Sequence, residues 1–307
     1  MNAELETPAR PIVVGLGEVL WDMFPDGAQF GGAPANFACH AAALGAQVSM
    51  VSAVGDDQLG DEAIEALVSR GVDVTCVDKA DRPTGRVNVS VNKDGQPDYE
   101  IADDVAWDHQ VWSSKRDALA RSCDAVCFGT LGQRTAEGRE FTQEFLKRTR
   151  ADCLRVFDVN LRQGFYDDSV LIESLQLANV LKLNDEELPI VCRVAGVEAV
   201  GTDGLRTLKS QFGLDLIALT QGAEGSQLIG NQQTDIVAAE KTAVDNTVGA
   251  GDAYTAALTV GTLQGLPLNK INQAASKIAA FVCSQPGATP ALPAEIVGLL
   301  KEQSSRL

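Results

Sequence analysis

Histidine is almost missing from this sequence: His40 and His109 are the only two in 307 residues. A zinc centre built on imidazole ligands has too little to draw on. Aromatic residues make up 5% of the chain against 45% hydrophobic residues overall, so the core has to be aliphatic, as suits a parallel sheet covered by helices. Cations are scarce too, with 25 Lys and Arg facing 42 Asp and Glu, a formal net charge of -17. Such a surface repels nucleic-acid phosphates and anionic lipid, so neither is expected as a partner. An anionic ligand needs a local site that overcomes the general field. No apolar run approaches a membrane span, and the opening MNAELETPAR lacks the apolar centre of a signal peptide. The seven cysteines are scattered, odd in number and without a C-x-x-C pair, so the chain reads as a reduced cytoplasmic protein. Cys123 and Cys127 in CDAVCFG are expected on one face of a strand, as core filler.

What is present is a rhythm. Strand-length apolar runs fall at 11–17, 47–55, 125–129, 154–159, 179–184 and 215–220, and helical patterns lie between them. The segments 33–45 and 58–71 are the clearest helices, each ended by a glycine. Repeated strand–helix order predicts an α/β fold, a mostly parallel sheet with helices on both faces. Residues 84–102 break the rhythm: TGRVNVSVNKDGQPDYEIA alternates polar and apolar residues on either side of KDG, a hairpin with one solvated face. LWDMFPDGAQFGG (20–32) is placed with it as a further strand. The reading is one domain over 1–307, with a small antiparallel β lid from about 18–32 and 84–103.

Two familiar phosphate motifs fail. GLGEVL (15–20) has Leu20 where the third glycine of a dinucleotide fingerprint belongs, and no glycine-rich loop ends in Gly-Lys-Ser/Thr. The best anion cradle is DNTVGAGDAYTAAL (245–258). Its glycines serve either a tight turn or a close backbone approach to phosphate at a helix start, and Asp252 is either a first-turn residue or a base beside that phosphate.

NTVGAGDAYTAALT (246–259) resembles the C-terminal signature of the ribokinase/PfkB family of sugar kinases, and GGAPANFA (31–38) resembles its N-terminal double-glycine motif. FGGAPANFACHAAALG, PTGRVNVSVNKDGQPDYEI, VAWD, FDVNLRQGFY and LKLNDEE are similar to its fructokinase-like members, so the likeness spans about residues 11–290. It implies a ribokinase-like fold with a β lid over the sugar, and transfer of phosphate from ATP, with Mg²⁺, to a sugar hydroxyl.

The resemblance also implies roles. Asp252 aligns with the catalytic base, and Gly249, Ala250 and Gly251 with the backbone anion hole. A carboxylate of ordinary pKa is already ionised at neutral pH and ready to accept a proton. Arg162, in DVNLR, aligns with an arginine near substrate and phosphates. Asp22, Gly32 and Asn36 align with sugar contacts, and Tyr99 on the hairpin is placed over the sugar. Asn184 and Glu187 match the N-x-x-E motif that organises Mg²⁺ through water; they also read as a helix cap. Thr220, Gly222 and Gly225 resemble the nucleotide-binding turn, and Asn272 and Ala275 are placed in the adenine pocket. Asn246 departs from the family, where an aspartate often helps bind a monovalent cation. With only an amide and the Val248 carbonyl, weak K⁺ activation is expected.

The leading reading is a fructokinase making fructose 6-phosphate, its lid pairing with a second copy in a homodimer. A 2-keto-3-deoxygluconate kinase, or another sugar or nucleoside kinase, is the alternative. An anionic substrate calls for extra cations on the lid, whereas the hairpin offers Arg86 against Asp98 and Glu100. A catalytically silent sugar-binding regulator is disfavoured by the intact Asp252, anion hole and N-x-x-E.

Overall fold

The computed structural model describes residues 10–25, 27–91 and 97–301. The first half of the chain runs β1 (Ile12–Leu16), β2 (Leu20–Phe24), β3 (Gly27–Gly31), α1 (Ala33–Ala43), β4 (Gln47–Gly55), α2 (Gln58–Ser69), β5 (Val72–Ala80), β6 (Gly85–Val91), β7 (Pro97–Ile101), α3 (Ser114–Ser122), β8 (Ala125–Phe128) and α4 (Ala136–Arg148). The second runs β9 (Leu154–Asp158), α5 (Asp168–Leu177), β10 (Val180–Asn184), α6 (Glu187–Val194), α7 (Gly201–Phe212), β11 (Leu216–Thr220), β12 (Ser226–Ile229), β13 (Thr234–Val237), α8 (Ala250–Leu263) and α9 (Leu268–Cys283). Among the described residues, no helix is long and apolar enough to cross a membrane.

Nine strands form one sheet in the order β13-β12-β11-β10-β9-β8-β1-β4-β5. All pairs from β5 to β11 are parallel, and β12 and β13 append an antiparallel edge. Alternation along each strand sends side chains to both faces. Val13, Met50 and Cys127 pack with α1, α8 and α9 on one side. Val14, Phe128 and Leu181 pack with residues of α4, α5 and α7 on the other. Cys123 therefore departs from expectation: it precedes β8 and joins the second cluster, while Cys127 joins the first. The core is mostly aliphatic, with Trp107, Tyr254 and a few phenylalanines, among them Phe128 and Phe157, stacked with centroids 5.2 Å apart.

A second sheet, β3-β2-β6-β7, is made by residues 20–24, 27–31, 85–91 and 97–101. Its β2–β3 and β6–β7 pairs are antiparallel and its central β2–β6 pair is parallel. The KDG turn lies outside the described residues. Leu20, Val87 and Ile101 seat this sheet on Trp107 and Leu131. The seat is tight. A Cβ on Gly85 would fall 1.6 Å from the Trp107 ring, whose residue is fully buried.

Overpacking a tight site typically costs about 1–3 kcal/mol. Gly85→Ala is therefore expected to lower the free energy of unfolding in urea by that amount, and the midpoint with it, whereas Gly298→Ala, with open space around it, leaves stability within about 0.5 kcal/mol. Equal midpoints for the two variants would show that the small sheet does not depend on the Trp107 seat.

Candidate active site

All parallel strands deliver their C-terminal ends to one edge, where open α/β sheets place ligands. Asp158 ends β9 and Lys182 lies beside it on β10, in register. Both are buried, and Lys182 Nζ lies 3.0 Å from Asp158 Oδ1. The other carboxylate oxygen, Oδ2, accepts from Thr255 Oγ1 at 2.7 Å, one helical turn beyond Asp252. Burial opposes the Lys182 charge, but Asp158, Glu187 and Asp252 more than offset it and hold the ammonium above its ordinary pKa.

α8 points its first turn into this edge. Gly249 caps it at φ 80°, a left-handed conformation open to glycine, and leaves the Gly251 and Asp252 amides without helical carbonyl partners. A Cβ on Gly251 would sit 3.1 Å from Lys182 Nζ, so a full positive charge lies under the helix start. From α1, Asn36 Nδ2 donates to Asp252 Oδ2 at 2.9 Å across 216 positions of sequence. Burial first, then repulsion from Asp158, pushes Asp252 up to about 7 against the opposing pull of Asn36, Lys182 and Arg162. This differs from the expectation of an ordinary aspartate: burial and a neighbouring like charge hold the Asp252 carboxyl well above the usual carboxylate range.

Of the candidate sugar contacts, Asn36 touches this carboxylate and Asp22 shares the charge of Arg162 with it. Gly32 caps α1 at φ 104°, where a Cβ would meet the Glu18 carbonyl at 2.5 Å. On β2, Asp22 is pushed up to about 6 by burial, with Arg162 opposing. Arg162 is exposed, and its charge reaches Asp252, Asp22 and Glu18. Its loop is bent by two non-glycine residues at positive φ, Asn160 (44°) and Gln163 (46°), a strain typical of functional loops. Glu187 holds that loop: its Oε1 accepts from the Leu161 amide at 2.9 Å and its Oε2 from the Asn184 amide at 2.8 Å.

A family profile described as pfkB family carbohydrate kinase matches residues 26–295. The chain belongs to that family. It is 33% identical over 267 residues to a sugar kinase of Pyrococcus horikoshii, covering 84% of this chain and 82% of that one. The structure of that kinase in complex with ATP is 30% identical with a TM-score of 0.77, over 91% of this chain and 94% of that one. A fructokinase of Escherichia coli is 27% identical over 307 residues, covering 91% and 95%. A fructokinase with bound ATP from Xylella fastidiosa, 23% identical with a TM-score of 0.84 over 95% and 99%, shares the ribokinase-like fold.

In this pfkB family kinase, the nucleotide-side expectations divide. Asn184 and Thr220 pair across β10 and β11, and Gly222 and Gly225 bracket the turn that follows. Asn184 Oδ1 accepts from the Glu187 amide at 2.8 Å, so Asn184 and Glu187 form a reciprocal helix cap as well as a buried carboxylate site. Asn272 and Ala275 do not line an open pocket; both are fully buried. The Asn272 carbonyl accepts from Ser226 and Tyr254 at 2.6 and 2.7 Å and its amide donates to Asp235 at 2.8 Å, so it pins α9 to the β12–β13 edge. Asn246 is committed too, Oδ1 accepting from the Val248 amide and Nδ2 donating to the Gln285 carbonyl. Tyr99 pairs with Val89 on the small sheet, and its side chain lies outside the described residues.

Four residues escaped the sequence reading: Asp158, Lys182, Thr255 and Glu18. Lys182 had a signal, since a single charge inside an apolar strand has to be paired. Thr255 lies three residues past Asp252, on its helical face. Glu18 had none; it is 2% exposed, with Oε2 unpartnered among the described residues, and burial raises its pKa against the charges of Arg162 and Arg134.

If Asp252 works as a base, kcat/KM should rise with pH through about 7, and Asp158→Asn should move that limb to lower pH by removing a repelling charge. A limb unmoved in Asp158→Asn would separate it from Asp252. The same raised pKa predicts a stability effect. A carboxyl protonated more readily when folded stabilises the fold below its unfolded pKa, and the contribution is lost as pH rises through about 7. Asp252→Asn should thus raise Tm relative to wild type by more at pH 8 than at pH 5. For Glu187, both oxygens accept amide hydrogens, which a Gln side chain cannot match. Glu187→Gln is expected to cost about 1–3 kcal/mol in denaturant unfolding. An unchanged midpoint would remove Glu187 as the holder of the 160–163 loop.

Proposed function

We propose that the chain is an ATP-dependent fructokinase that converts D-fructose to fructose 6-phosphate. The observation supporting this reading is the contact of Asn36 with Asp252 at the glycine-capped start of α8, made from opposite ends of the chain; the amides of Gly249, Ala250 and Gly251 are assigned to the anion hole. In the reaction, the oxygen of the sugar's 6-hydroxyl bonds to the γ-phosphorus, the bond to the ADP oxygen breaks, and the hydroxyl proton passes to Asp252. Phosphoryl transfer depends on positioning and charge stabilisation, which the α8 amides, Lys182 and Arg162 supply. Asp22, Gly32 and Asn36 are assigned to the sugar, with the small sheet as its lid and as the pairing surface of a homodimer. Thr220, Gly222 and Gly225 are assigned to the nucleotide.

Among the described residues, no group of three or more His, Cys, Asp or Glu side chains is placed to hold a metal ion. That fits Mg²⁺ arriving on ATP and keeping its waters, with Asn184 and Glu187 reached through them. Bound there, Mg²⁺ would supply charge neutralisation at the phosphates. The K⁺ reading follows from Asn246: a neutral amide already bonded to Val248 and Gln285 is a weak ligand for a hard cation.

The test is ADP release across a sugar panel, with fructose expected to give the highest kcat/KM. A preference for 2-keto-3-deoxygluconate or a nucleoside would overturn the fructose assignment, and inactivity on every member would favour a silent binder. With the preferred sugar, turnover in KCl should barely exceed that in NaCl at fixed ionic strength, and Asn246→Asp should widen the gap. Strong K⁺ dependence in the unmodified enzyme would refute the charge argument.

A further inference from the structure

Asn36 and His40 stand one turn apart on the same face of α1, and both reach the C-terminal half of the chain. Asn36 contacts the base. His40, 1% exposed, places Nε2 2.9 Å from the Ala288 carbonyl, 248 positions away. A carbonyl only accepts, so Nε2 carries the hydrogen. Burial, with a smaller opposing effect from the Ala288 bond, lowers the imidazole to about 4, and it stays neutral at physiological pH.

The Ala288 carbonyl is pressed against the anion hole. A Cβ on Gly249 would fall 2.1 Å from that oxygen, so the carbonyl lies directly on the residue that starts α8. The segment carrying it is tied at its other end by Asp245, whose amide donates to the Cys283 carbonyl at 2.8 Å, and by the Asn246 bond to Gln285. His40 is the side chain that closes this clamp from α1.

We propose that His40 is a positioning residue for phosphoryl transfer: its Nε2–H holds the Ala288 carbonyl against Gly249 and so fixes the first turn of α8, with the Asp252 it carries, relative to α1. One helix then sets both parts of the site, the base through Asn36 and the anion hole through His40. The proposal rests on the kinase reading above.

The experiment is steady-state kinetics on the sugar that the wild type uses best. A misplaced anion hole spoils the transition state more than sugar binding. His40→Leu should therefore lower kcat by about 10- to 100-fold with the sugar KM within about twofold. His40→Gln, which keeps an N–H donor of similar reach, should recover most of that loss, and His40→Asn, whose donor falls short, should not. Cys39→Ala, a neighbouring buried change on α1, should keep kcat. Wild-type kcat in His40→Leu, no rescue by Gln over Asn, or an equal loss in Cys39→Ala would each overturn the proposal. If His40→Leu does not fold, the Gln and Asn pair decides it. A wild type inactive on all sugars refutes the kinase reading itself, whereas unchanged kcat in the His40 variants of an active enzyme refutes only the clamp.

Discussion

A carboxylate has to be kept buried, close to other carboxylates, and still available. Everything at the C-terminal edge of the sheet follows from that constraint on Asp252. Burial and its neighbour Asp158 raise the cost, and the Asn36 amide, Lys182 and Arg162 lower it. Neither side wins outright, so the group titrates near neutrality. A buried acid this close to balance needs its partners held rigidly, because shifting any of them by an ångström changes the local field. The sheet supplies that rigidity through the register of β9 and β10, and α1 supplies it from the opposite side.

The overall acidity makes sense in the same terms. A chain with a net charge of -17 repels a nucleotide at long range. Against that field stand Lys182 beneath the helix start, the charge of Arg162 acting on Asp252, and the peptide dipoles of α8. Exposed ion pairs elsewhere, such as Arg121 with Asp117, contribute little by comparison.

Much of this was legible in the sequence. The parallel strands were visible because each is a short apolar run bounded by turn residues, and the small sheet because its pattern switches to period two. β5 was not recognised, since VDVTCVDKA mixes charge with apolar residues as an edge strand does. β12 and β13 are four residues each, too short for periodicity. In the site, Asp252 and its glycines stood out as a motif that needs a chemical reason. The pKa of Asp252 was hidden because it depends on burial and on Asp158, 94 positions away in sequence by their numbers. Asn272 was misplaced for a similar reason: a polar residue on an Ala-rich helix looks available until its four hydrogen bonds are seen.

The packing of α1 against α8 and α9 also bears on how the chain is made. On one face of the sheet α1 and α2 cover β1, β4 and β5, whereas α8 and α9, near the C-terminus, cover the part from β9 to the β12–β13 edge. During synthesis β9, β10 and β11 emerge before their cover on that face, which comes only when residues 250–283 leave the ribosome. That apolar part of the nascent chain is exposed to aggregation in the interval, as expected where native contacts are far apart in sequence. The helices that end this exposure also carry Gly251 and Asp252 into the candidate site. Completion of the core and assembly of that site are thus the same event, and a prematurely terminated chain has neither.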